Sequence, residues 1–302
     1  MRIAITGGTG FVGRALARRL GAAGHETLVL SRRTGHALDL AHVDRLAATF
    51  AGCEAVVHCA GINRELGDQT YEHVHVEGTT AVVEAARQAG VQRIVMLSFL
   101  RARPDGPTEY HRSKWAAEEL VRESGIVHTI LKAGVIHGRG DHMLDHLSHA
   151  FHTFPVFGLV GLVDRAVRPV AVDDVARLLE AAALGDARLR DRTFAVLGPE
   201  EMSLGQAVRR VADVVARRPI FIPLPIVAHL LLARVAEAAM RVPLVSVAQV
   251  RILAEGVTTP LPFADPPPSD LAPSTPFDAA AISAGLPDPG GFGYRDLRWC
   301  RV

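Results

Sequence analysis

Tyr110-His111-Arg112-Ser113-Lys114 places a phenol and an ammonium four residues apart at the start of a predicted helix. That spacing sets both side chains on one helix face. A free phenol ionises near pH ~10 and is a weak acid–base catalyst at neutral pH. An ammonium at ~4 Å, with an effective dielectric of ~20, attracts the phenolate by roughly 4 kcal/mol before desolvation losses. A phenol lowered in this way suits general acid–base work. Ser98 precedes Tyr110 by twelve residues, at the C-terminal end of a predicted core strand. Ligands of open parallel sheets collect at such strand ends. The Ser98 hydroxyl is therefore expected to bond a substrate carbonyl or the Tyr110 oxygen. Alone, the Tyr–Lys spacing is better explained as the start of a surface helix; the combination of signals carries the argument.

The N-terminus supplies the other half of that combination. Arg2–Ile5 is a short apolar strand, and Thr6-Gly7-Gly8-Thr9-Gly10-Phe11-Val12-Gly13 is a glycine turn opening into a helix. Val12, Leu16 and Leu20 recur every four residues, and Gly21 and Gly24 are stops. A glycine turn between a buried strand and such a helix aims bare backbone N–H groups at a dinucleotide pyrophosphate. Gly7 is expected to make the sharp turn, Gly10 to allow close approach of the phosphates, and Gly13 to let the helix lie on the sheet.

These residues need a scaffold, and the first half of the chain alternates strand-like and helix-like runs. Strands are predicted at 26–30, 55–59, 93–98 and 126–131, and helices at 43–50, 80–88 and 112–124. Such alternation implies an α/β fold, a doubly wound parallel sheet of Rossmann type covered on both faces. After Gly134 the rhythm changes. Residues 137–151 are His-rich and helical in pattern, 169–184 pass from a strand edge into a helix, and 194–197 form a strand. Residues 202–256 are mainly helical, and the Pro- and Asp-rich 258–276 is an extended surface segment. The expected division is a dinucleotide-binding domain over 1–199, with 137–168 contributing to a smaller, mainly helical C-terminal substrate lobe over 200–302.

Composition narrows the function classes. A chain of 302 residues supports a large core, and a formal net charge of +1 gives no support to nucleic-acid binding. Three cysteines make no disulfide framework, and the glycine motif begins almost at Met1, so a cytoplasmic protein without a signal peptide is expected. No apolar run is long enough to span a bilayer. The nearly apolar run Pro219–Ala233 is expected to pack the substrate lobe or close an apolar pocket; the sharper alternative is peripheral contact with a membrane or a lipidic substrate. His142 and His146 share a helix face beside Asp141, Asp145, His149 and His152, but no HExxH glutamate lies between them. No metal is expected there.

With these residues in place, the chain resembles the short-chain dehydrogenase/reductase superfamily in its extended or atypical branch. The likeness is carried by TGGTGFVG at 6–13, Asp39-Leu40, His58–Gly61, Val76–Thr79, Ser98, YHRSK at 110–114, Leu131–Gly138 and Pro169–Ala176. The C-terminal half is most similar to the subgroup containing the NADPH-binding accessory subunit of mitochondrial complex I. The resemblance implies that the glycine turn holds the pyrophosphate, that Asp39-Leu40 lies beside the adenine, and that His58, Cys59, Ala60 and Gly61 line the cofactor cleft. It also implies that Tyr110 transfers the proton, Lys114 holds the nicotinamide ribose, Ser98 steadies the substrate oxygen, and Ala133-Gly134-Val135 sits near the nicotinamide amide. The chain departs from the family pattern at Lys132-Ala133, His137 and His75.

Charge bears on the cofactor. An NAD site usually presents a carboxylate at the end of the second strand, whereas here Leu30 is followed by Ser31-Arg32-Arg33. Two guanidiniums suit a 2′-phosphate, so NADP(H) is expected, with NAD(H) as the alternative. The expected function is NADP(H)-dependent hydride transfer at a carbonyl/alcohol carbon of a small-molecule substrate, with an apolar or lipidic compound as one option. The alternatives are an NADPH-binding structural or assembly protein and an epimerase or dehydratase acting on a sugar nucleotide.

Overall fold

A computed structural model of the chain describes residues 1–31, 42–240, 245–256, 258–261 and 263–293. It divides into two compact units: 1–134 with 172–196 and 260–273, and 135–171 with 197–259 and 274–302.

The first unit opens with β1 (Arg2–Thr6), α1 (Phe11–Ala22), β2 (Glu26–Leu30), α2 (Val43–Phe50) and β3 (Ala55–His58). A π-helical turn, Glu72–Glu77, runs directly into α3 (Gly78–Gln88). β4 (Arg93–Phe99), α4 (Glu109–Arg122) and β5 (Val127–Ala133) complete its N-terminal part. The second unit contributes β6 (Ile136–His137), α5 (His142–Thr153), β7 (Val156–Val160), β8 (Ala166–Val167) and β9 (Val170–Ala171). The chain returns to the first unit for α6 (Val172–Leu184) and β10 (Arg192–Val196). The second unit then resumes with β11 (Met202–Ser203), α7 (Leu204–Val214), β12 (Ile220–Leu224), α8 (Ile226–Ala239), α9 (Val247–Glu255) and α10 (Ala279–Gly285).

In the first unit six parallel strands run in the order β10-β5-β4-β3-β1-β2. The order reverses between β1 and β3, the switch point at which such sheets gather ligands. Alternate strand residues serve different helix layers. Ala4, Val56, Ile94 and Met96 share a core with Leu46 and Phe50 of α2, Val82 of α3 and Val121 of α4. Their neighbours Ile3, Ile5, Val57 and Val95 are just as buried, as a sheet covered on both faces requires.

Several boundaries differ from the sequence expectation for local reasons. α4 begins at Glu109 rather than 112, which brings Tyr110 into its first turn. The run Pro219–Ala233 splits: Ile220–Leu224 pairs in parallel with β7, and only from Ile226 does the chain become helical. Pro223 and Pro225 explain the split, since neither can donate a helical backbone hydrogen bond. Segment 260–273 belongs to the first unit, because Asp265 exchanges backbone hydrogen bonds with Thr193 and Ala195 along β10. The expected division, 1–199 with 137–168 contributing to a lobe over 200–302, contains no such return.

Within the second unit β7 pairs with β12, β6 with β9, and β8 with β11. Asp141 caps α5 by accepting from the Leu144 and Gly138 N–H groups, and burial raises its carboxyl to about 6. Among the described residues, no three His, Cys, Asp or Glu side chains are grouped to hold a metal.

Candidate active site

The glycine turn sits where β1 and β3 end side by side. Gly7 has φ 68°, a left-handed conformation that favours glycine. A Cβ there would lie 2.7 Å from the Ala60 backbone. A Cβ on Gly13 would lie 2.4 Å from the Gly7 carbonyl, so Gly13 permits the helix to close on the turn itself. Gly8, which the sequence reading passed over, would meet the Val29 side chain at 2.8 Å. Gly10 caps α1 without a side-chain hydrogen bond. The first-turn N–H groups carrying Phe11, Val12 and Gly13 therefore form a bare backbone cradle. That cradle, too tight for side chains and free of a capping group, fits a dinucleotide pyrophosphate.

Thr6 turns its side chain inward. Its hydroxyl donates to His58 Nδ1 at 2.7 Å, His58 Nε2 donates to Thr79 Oγ1 at 3.1 Å, and Thr79 Oγ1 donates to the His75 carbonyl at 2.5 Å. The last bond sets the direction of the other two. This relay ties β1, β3 and α3 together beneath the turn. Burial, and then Lys114, lowers His58 to about 3, so its ring is neutral. Burial also pushes the Cys59 thiol up to about 12.

Lys114 is buried beside the segment that follows β3. A Cβ on Gly61 would sit 3.2 Å from Lys114 Nζ, which donates to the Leu97 carbonyl at 3.3 Å. Burial lowers this ammonium to about 8. Tyr110, one turn earlier, is buried against the rings of Tyr71, His75, Phe99 and His111. Burial, and next Tyr71, raises its phenol above the ordinary range. In the folded, ligand-free chain burial thus acts on the phenol in the direction opposite to the lowering expected from Lys114.

Ser98 has a partner that the sequence did not suggest. Its hydroxyl donates to Glu118 Oε1 at 2.6 Å. Glu118 is fully buried and also accepts from Lys132 Nζ at 2.6 Å and Arg122 Nη2 at 2.7 Å. These donors satisfy the buried carboxylate, and the Ser98 proton is one of them. Phe99, the next residue, is the one that packs on Tyr110, with ring centroids 5.2 Å apart.

His75 stands in the π-helical turn. The Ile62 N–H donates to its Nε2 at 3.1 Å, so Nδ1 carries the proton and donates to Ser113 Oγ at 2.9 Å. Burial, then Lys114, lowers it to about 2. It fastens the 61–63 segment to α4. Glu118 and Phe99 were not singled out from sequence, and Thr79 and Ser113 only as members of longer motifs. The one available signal was Glu118, a carboxylate four residues beyond Lys114 on the same helix face.

Ser31 is buried at the end of β2. Arg32, Arg33, Asp39 and Leu40 lie outside the described residues. Ala133 closes β5, its carbonyl accepting from Leu100 N–H at 2.8 Å; the first unit ends at Gly134, and the Val135 carbonyl accepts from Val170.

Residues 3–194 match the NAD dependent epimerase/dehydratase family. The chain belongs to that family. As an epimerase/dehydratase-family member it has an NAD(P)-binding, oxidoreductase-like fold of the extended short-chain dehydrogenase/reductase kind. It is similar to a ceramide reductase of Caulobacter vibrioides, 35% identical over 154 residues, 46% of this chain and 47% of that protein. NADH dehydrogenase [ubiquinone] 1 alpha subcomplex subunit 9 of Mus musculus is 26% identical over 239 residues, 74% of this chain and 63% of that one. The family member thus spans less than two thirds of the length of these curated relatives. The structure of gox2253 superposes with a TM-score of 0.65 at 26% identity, covering 94% of this chain and 96% of that chain. A nucleoside-diphosphate-sugar epimerase from Staphylococcus aureus shares the fold at a TM-score of 0.69 and 16% identity, over 94% and 99% of the two chains.

Proposed function

We propose that this family member is an NADP(H)-dependent reductase of a carbonyl on an apolar substrate, with Tyr110 as the proton donor. The observation that carries the reading is the buried Tyr110–Lys114 turn of α4 facing the segment that follows β3. The cofactor, when bound, supplies or accepts the hydride. The cradle of Gly7, Gly10 and Gly13 holds its pyrophosphate, and the guanidiniums of Arg32 and Arg33 suit a 2′-phosphate. Lys114 presents an ammonium to the ribose hydroxyls. Tyr110, a neutral phenol at neutral pH, gives its proton to the substrate oxygen as negative charge develops there. The rings of Tyr71, Phe99 and Tyr110 offer an apolar wall, and the likeness to a ceramide reductase supports a lipidic substrate. We place such a protein in the cytoplasm, at the membrane periphery.

A second reading has its own support. The Ser98 hydroxyl donates to Glu118 within the first unit. The likeness to the complex I subunit extends over 74% of the chain. Both favour an NADPH-binding assembly protein with little chemistry. Single-turnover oxidation of bound NADPH, with small-molecule cell extract added and Tyr110→Phe run beside it, separates the two. Oxidation by the wild type alone supports the reductase. Tight NADPH binding with no oxidation, using extracts from several growth conditions, supports the assembly protein.

A further inference from the structure

α8 is inside out. Its inward positions, four apart, are His229 and Ala233, both buried. Its outward stripe is Val227, Leu231 and Val235, at 77%, 63% and 58% exposure, with Leu232 beside it. A helix on a water-facing surface carries its polar residues outward; this one does the opposite.

The apolar surface continues beyond the helix. β12, the element before α8, exposes Ile220 and Ile222. The Gly161 N–H donates to the Leu224 carbonyl at 2.9 Å, which brings the adjacent Leu162 and Val163 to the same edge, at 70% and 65% exposure. Most of the exposed large apolar side chains among the described residues gather in this part of the second unit. A concentration of this kind marks an interaction site.

Charge decides the occupant. Arg217 and Arg218 are exposed immediately before β12, and Arg234 is exposed beside Leu231 and Val235. The one acid on α8, Glu237, is turned to the Val247 N–H at 2.9 Å. A second copy meeting this surface about a two-fold axis would bring the same arginines, and no free acid of α8, to the apolar contact. An anionic lipid surface satisfies the arginines and the apolar stripe together. No helix among the described residues is long and apolar enough to cross a membrane, which leaves α8 to lie in the interfacial plane.

We propose that the outward face of α8, with the exposed edge of β12, docks the protein on an anionic bilayer surface. This docking does not depend on the proposed hydride chemistry.

The test is flotation of the full chain with vesicles of phosphatidylcholine alone and of phosphatidylcholine with phosphatidylglycerol. The wild type is expected to float with the anionic vesicles and to be released by added salt. Leu231→Glu is expected to weaken flotation roughly tenfold or more, and Arg234→Glu several-fold, with thermal unfolding and NADPH binding unchanged. Leu184→Glu, at an exposed apolar position in the first unit, is the control and is expected to float as the wild type does. A wild type that floats with neither vesicle overturns the proposal, as does equal loss in Leu184→Glu. A dimer broken by Leu231→Glu, without vesicle binding, assigns the surface to a second copy and also overturns it. Flotation by a protein that never oxidises NADPH leaves the docking surface standing and rejects the reductase reading alone.

Discussion

The Ser98 hydroxyl donates to Glu118, 2.6 Å away, and so lies within a buried ion network. Lys132 and Arg122 complete that network. It joins the C-terminal ends of β4 and β5 to the helix that carries Tyr110 and Lys114. The Tyr–Lys turn is held in place from below by charge.

Ser98→Ala therefore tests a structural role against a catalytic one. It should lower unfolding stability by about 1–3 kcal/mol through the lost donor to a buried charge. NADPH-dependent turnover, measured under conditions where the variant is folded, should change by less than ~tenfold. A loss of ~100-fold or more with stability intact would return Ser98 to the reacting atoms.

Lys132→Met should be far more damaging. It removes the ammonium that lies 2.6 Å from fully buried Glu118 and leaves a carboxylate short of a counter-charge. Breaking such a pair costs about 3–5 kcal/mol. Urea denaturation should show this drop, and adding Glu118→Gln should recover part of it. Additive losses in the double variant would argue against the pairing.

Stability should fall as the solution is acidified from neutrality. His58 and His75 have folded values lowered from 6.5 to about 3 and about 2. Above pH 6.5 both states are neutral at these sites and nothing is lost. Below it the unfolded chain takes up protons that the folded chain refuses. Each histidine then removes roughly 1.4 kcal/mol of stability per pH unit, down to its folded value. Denaturation at pH 7, 6 and 5 should show this slope, and His75→Asn should flatten its share. A slope unchanged by His75→Asn would mean that its ring titrates normally in the fold.

Gly13→Ala should abolish NADPH binding. The added methyl would lie 2.4 Å from the Gly7 carbonyl and 2.7 Å from Gly8 Cα, so the turn must open or the helix must move. Fluorescence titration should show at least a ~100-fold loss of affinity, with a smaller loss after Gly21→Ala, whose Cβ meets nothing within 4 Å. Equal losses at the two positions would count against the cradle.

Much of this was legible in the residue order. Apolar runs at 26–30 and 93–98 and the amphipathic spacing of Val12, Leu16 and Leu20 are local properties, and they reappear as β2, β4 and α1. The early start of α4 was less visible, because Thr108 and Glu109 carry no apolar periodicity. The β12 strand was hidden inside an apolar run, where helix and buried strand look alike until their partners are known.

By itself the sequence determined the parallel Rossmann-type sheet, the glycine turn at its switch point and the Tyr–Lys pair on one helix face. Each follows from spacing along one element or between consecutive ones. Only the tertiary structure decided where Ser98 sends its proton, that Phe99 packs against Tyr110, and that burial raises the phenol. Those outcomes depend on Glu118, Lys132 and Tyr71, residues distant in sequence. Desolvation and competition for hydrogen-bond donors arise only when packing brings such groups together.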